Sequence, residues 1–107
     1  MPKQLTIRTS ASVSGVNEEL IAQLYRTSDR LRQMSTAQLE REDRVASAHT
    51  IIRMMATRVR PNVTVPQLAL NALGDQLLVI GREFASSVDD DEAEAMAEHL
   101  KNFRLNL

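Results

Sequence analysis

The stretch from residue 65 to residue 85 limits the folds open to this chain more than any other. Leu70, Leu73, Leu77, Ile80 and Phe84 recur at alternating spacings of three and four, which is one face of a helix. Leu68, Ala72, Leu78 and Val79 make much of a second face apolar as well. A helix that is apolar nearly all round must be buried nearly all round. In a chain of 107 residues it is either the central helix of the domain or a helix that gives its second face to a partner. Gly74 and Gly81 lie beside the main stripe and would let another helix come close. The alternative at Gly74 and Asp75 is a break, with Asp75 capping a second helix.

Two further segments carry helical stripes that can cover this one. Leu20, Leu24, Leu31 and Met34 fall at heptad spacing with Thr27 in the missing position, and Gln23, Arg26, Arg30 and Gln33 form the polar face. Asn17 is a suitable N-cap for that helix, Glu18 and Glu19 suit the positive end of its dipole, and Val16 can staple onto Ile21. Val45, Ala48, Ile52, Met55 and Val59 mark a second helix over residues 36–59, widened by Ile51 and Met54, loosened near Glu42 and Asp43, and stopped by Pro61. A last helix is expected over residues 90–102, with Ala93, Met96, Ala97 and Leu100 facing inward.

The phrases MSTAQLE and VTVPQLA, both hydroxyl, two fillers, glutamine, leucine, read as helix starts. Ser35 and Thr64 take the cap position, Gln38 and Gln67 reach back from N3, and the pairs Met34–Leu39 and Val63–Leu68 staple the entry. Pro66 is tolerated there because a first turn needs no amide donor. VDDDEA repeats the pattern with Asp89 as cap and Glu92 at N3.

Residues 1–16 carry no helical stripe. Leu5, Ile7, Ala11 and Val13 alternate with polar residues, predicting a loose or strand-like arm, and the tail alternates similarly through Phe103, Leu105 and Leu107. The expectation is that the two termini pair as short strands when ordered. The chain therefore divides into an arm, 1–16, and one helical domain, 17–107.

Charge is unevenly placed. Residues 1–61 hold ten basic and six acidic side chains, whereas residues 62–107 hold three basic and eight acidic. The two halves are expected to attract one another, within one chain or across a homodimer. No cysteine is present, which removes disulfides, thiol nucleophiles and thiolate metal sites. The N-terminus lacks a charged-then-apolar leader pattern, and the longest strongly apolar run is only Leu77 to Ile80. A soluble, cytoplasmic protein is expected.

The residue types that chemistry needs are scarce. His49 and His99 have no companion ligand at a recognised spacing, so each reads as a packed or surface histidine. Residues 89–94 lack the alternating oxygens and central glycine of a calcium loop. There is no phosphate-binding glycine loop, nucleophile elbow or paired-histidine zinc motif, so neither an enzyme nor a cofactor is expected.

The sequence offers two DNA-binding readings. A helix-turn-helix with Gly74 at the turn fails, because Asp75 sits where an apolar residue should pack and Arg82 is the only base on the would-be recognition helix. A ribbon-helix-helix dimer would use QLTIR as its strand, with Gln4, Thr6 and Arg8 entering the major groove. It matches that family in element order only, since residues 9–16 form a long insertion and the tight turn has no glycine.

The stretches NEELIAQLYRTSDRLRQM and LALNALGDQLLVI, in a small cysteine-free chain with a loose arm and no DNA-reading motif, resemble the small helical antiactivators of the QslA type. The resemblance implies a homodimer that sequesters a LuxR-type quorum-sensing transcription factor by occupying its dimerisation surface. No residue roles carry over from it.

Together these readings predict an all-α, bundle-like domain of four to five helices, dimeric, that binds a protein partner through apolar helical surface. Leu68, Leu70, Leu73, Leu77, Leu78, Ile80 and Phe84 are the expected interface, with Gln4, Thr6 and Arg8 the contacts of the DNA-binding alternative.

Overall fold

The computed structural model describes the backbone of residues 2–66 and 69–107, with side chains from Asn17 onward outside the 67–68 gap. It is all-α: α1 (Pro2–Gln33), α2 (Thr36–Leu39), α3 (Arg44–Val59), α4 (Leu73–Ala85) and α5 (Asp90–Leu105), with 3-10 turns at Arg41–Asp43 and Leu70–Ala72. No strand occurs among the described residues.

Helix α1 corrects the reading of the arm. It runs continuously from Pro2, so residues 2–16 are backbone-helical and the strand required by the ribbon-helix-helix reading of Gln4, Thr6 and Arg8 is not formed. Extending an existing helix fixes one residue per added hydrogen bond, whereas a lone strand gains nothing until it is paired. The tail is corrected similarly, since α5 carries Phe103 and Leu105 in its last turns. Asn17 is consequently not a cap of its own helix. Its Nδ2 donates to the Ala85 carbonyl at 2.7 Å, satisfying one of the orphan acceptors at the end of α4.

The capping signals divide. At Ser35 the full box forms: Ser35 Oγ accepts from the Gln38 amide at 3.2 Å, and Gln38 Oε1 accepts from the Ser35 amide at 2.8 Å. Both staple residues, Met34 and Leu39, are buried. Asp89 caps α5 through the Glu92 amide at 2.9 Å. Thr64 starts no helix, because residues 63–66 and 69 are irregular and α4 begins only at Leu73; Gln67 lies outside the described residues.

The physical reason is topological. Arg60 lies beside Glu83 at the far ends of α3 and α4, so these helices run parallel. The connection must therefore travel back along α3. Were α4 to begin at Thr64, about 28 Å of helix would separate Thr64 from Glu83, whereas the four residues from Arg60 to Thr64 reach only about 13 Å even when fully extended. Val65 is also pushed away from helical angles by Pro66. Gln76 Nε2 pins the returning strand of chain by donating to the Pro66 carbonyl at 2.8 Å.

The expected loosening near Glu42 is a sharp break. Glu42 and Asp43 both adopt left-handed angles, φ 54° and 60°, which separate α2 from α3. No break falls at Gly74 and Asp75. Both lie in the first turn of α4, and Asp75 pairs with Arg32 rather than capping.

The core gathers Leu20, Leu24 and Leu31 of α1, Ile51, Ile52 and Met55 of α3, Leu73, Leu77 and Phe84 of α4, and Ala93, Met96, Ala97 and Leu100 of α5. The four long helices form a ring in the order α5, α1, α4, α3, and three of its edges are close-packed: α1–α5, α1–α4 and α3–α4. The fourth edge, between α3 and α5, stays open.

Candidate protein-binding seam

The α1–α4 edge shows what a closed edge requires. Gly74 lies against α1 so closely that a β-carbon there would sit 2.7 Å from the Ser28 carbonyl oxygen. One at Gly81 would overlap the fully buried Leu24 side chain. The expectation of close approach at both glycines holds. Ser28 Oγ donates to the Gly74 carbonyl at 2.8 Å, and Arg32 reaches Asp75 at 2.7 Å on the outside.

The open edge is built differently. Helices α3 and α5 are antiparallel: Arg58 faces Glu92 at one end, and Ser47 and Asn106 line the other. Two hollows of about 390 Å³ each lie along the seam. One is bounded by Met54, Phe84, Ala95 and Met96, the other by Thr50, Ile51, Asn102 and Phe103, and His99 borders both. The floor is apolar and almost wholly buried at Ile51, Phe84 and Met96, while Met54 on the lip is 48 % exposed.

The residues around the mouth, Ser47, Thr50, Met54, Ala95, His99, Asn102 and Asn106, carry no fixed charge. The Arg58–Glu92 pair closes one end, with Arg58 Nε and a second guanidinium nitrogen donating to the two carboxylate oxygens at 2.6 and 2.9 Å. Hydrogen bonding from Arg58, reinforced by its charge and opposed by desolvation, holds the Glu92 carboxyl below its usual range. As N3 of α5, Glu92 reaches across the seam to Arg58, and the Asp89 backbone also helps hold its carboxyl low.

The residues expected to form the interface are divided by the fold. Leu73, Leu77 and Phe84, expected at the interface, are buried in the core of the single chain, and of the described members of that set Phe84 lines the seam floor. Leu70, Leu78 and Ile80 are half-buried against the core. Leu68 lies outside the described residues. Val79, at 67 % exposure, is the strongly exposed apolar residue of α4. Most of the apolar surface of the helix is thus covered within one chain, by α1, α3 and the returning segment at Val65.

His49 is buried in α3, and His99 stands at the seam beside Glu92. Among the described residues no three His, Asp or Glu side chains converge as metal ligands would. No described helix is long and apolar enough to cross a membrane.

No family model, curated protein or solved structure matches this chain. The seam must be read from its own chemistry.

The reading of the sequence missed the seam because its residues are individually bland. Ser47, Thr50 and Met54 lie at spacings of three and four just outside the α3 stripe, and Ala95, His99, Asn102 and Asn106 repeat the same spacing on α5. The available signal was a helical face without Lys, Arg, Asp or Glu, in a chain in which a quarter of the residues are charged. Only the fold shows that the two bland faces adjoin.

Proposed function

We propose that this chain is a non-catalytic protein-binding module, a cytoplasmic regulator that sequesters a transcription factor by accepting one of its apolar helical segments. The observation that supports this reading is the α3–α5 seam: an apolar floor, an uncharged mouth and an elongated shape. An amphipathic helix laid in such a groove buries its apolar side chains at i, i+3, i+4 and i+7 spacing. Depletion of charge at the centre of a patch is the compositional mark of a protein interface. The resemblance of the α1 and α4 sequences to small antiactivators names the partner class, a LuxR-type quorum-sensing regulator, and the mechanism, occupation of its dimerisation surface.

The test is a titration of purified protein into a LuxR-type regulator bound to fluorescent promoter DNA. Release of the DNA with near-stoichiometric capture of the regulator is expected, and Met54→Glu should abolish it. Failure to release the regulator at large excess would sink the reading. So would direct binding of this chain to random duplex DNA that weakens steeply with salt.

A further inference from the structure

We infer that a second copy of this chain covers the seam, with α3 of each protomer lying antiparallel on α5 of the other. The inference rests on reading the seam as a protein-binding surface, and it names the occupant when no partner is present.

Three observations carry it. Met54 is a large apolar side chain that stands exposed on the lip of α3, and Ala95, across the seam, is a small exposed residue of α5. A two-fold axis running along the seam keeps every residue at its own height, so each Met54 faces the hollow beside Ala95 and His99 of the other copy. Second, the mouth itself carries no free charge to desolvate, since Arg58 and Glu92 neutralise one another. Third, the outer flanks are oppositely charged. Arg53 lies on the flank of α3, and Asp91 and Glu98 lie on the flank of α5, all exposed. Of the two ways to place a two-fold axis in this face, one sets α3 on α3 and opposes like charges. The other sets α3 on α5 and brings Arg53 toward Asp91 and Glu98. Self-complementarity of this kind is what an isologous dimer requires.

Self-association and partner capture then compete for one surface. Above its own dimer dissociation constant, free monomer and hence capture therefore rise only as about the square root of total concentration, a regulation set by mass action.

Light scattering and sedimentation across a concentration series test the proposal, with folding of each variant checked by circular dichroism. The native chain is expected to be a dimer. Arg53→Glu and Glu98→Arg should each raise the dissociation constant about tenfold, and the double variant should recover most of that loss. Met54→Glu should raise it about a hundredfold. Because the chain has no cysteine, Met54→Cys protein mixed with Ala95→Cys protein and oxidised should yield a disulfide-linked dimer. A native chain monomeric at every concentration overturns the proposal. A dimer indifferent to Met54→Glu, or the absence of the mixed disulfide, does the same. If the dimer behaves as stated and no regulator is captured, the function above falls and this inference stands; capture by a strictly monomeric chain gives the reverse.

Discussion

The α1–α4 edge and the α3–α5 seam face each other across one core and solve opposite problems. At the closed edge, glycines at 74 and 81 remove the side chains that would hold the helices apart, and Leu24 fills the space they leave. At the seam, Ile51, Phe84 and Met96 seal the core from below, but the side chains above them, Met54 apart, are small or polar. The single described ion pair that spans it, Arg58–Glu92, is solvent-exposed, and such pairs contribute little stability. A closed edge is maintained by fit, whereas an open one persists because nothing within the chain is shaped to fill it.

That contrast can be broken by substitution. The largest effect is expected at the centre: Leu77→Ala, fully buried, should cost about 2–5 kcal/mol in urea unfolding. Gly74→Ala should cost about 1–3 kcal/mol even though alanine favours helix, because its β-carbon meets backbone rather than a movable side chain. A Gly74→Ala variant as stable as the native chain would mean that this edge is looser than described. At the α2–α3 break, Glu42→Gly should stabilise the chain by about 0.5–1 kcal/mol, since glycine adopts the left-handed angle without steric cost.

Seam substitutions should lie at the small end. Met54→Ser, measured where the protein is monomeric, should change unfolding by no more than about 0.5 kcal/mol. A larger loss would show that Met54 packs within the chain. Glu92 adds a pH signature. Its folded pKa lies below its unfolded one, so its contribution is present above the ordinary glutamate range and is lost as pH falls through the lowered value. Glu92→Gln should therefore lower the melting temperature slightly at neutral pH, leave it unchanged below the lowered pKa, and so flatten the acid side of the profile.

The capping phrases show how far local sequence carries. Ser35 and Asp89 act as written, because a cap is an interaction between residues three apart and needs no distant partner. Thr64 has the same local chemistry and is overruled, because parallel packing of α3 and α4 demands extended chain there. The N-terminal arm departs from its local pattern for a related reason. Alternation of Leu5, Ile7, Ala11 and Val13 describes a strand only if another strand is available to pair with it.

Composition and the heptad stripes by themselves determined that this chain is helical and which helical faces from residue 17 onward turn inward. Those properties depend on spacings of three and four along a single helix. The tertiary structure alone decided that the apolar flanks of α4 would be covered internally and that α3 and α5 would stand apart. Each depends on which faces meet across the ring, and no local spacing encodes that. The surface left for another molecule thus lies where two unremarkable faces adjoin, away from the stretch richest in apolar residues.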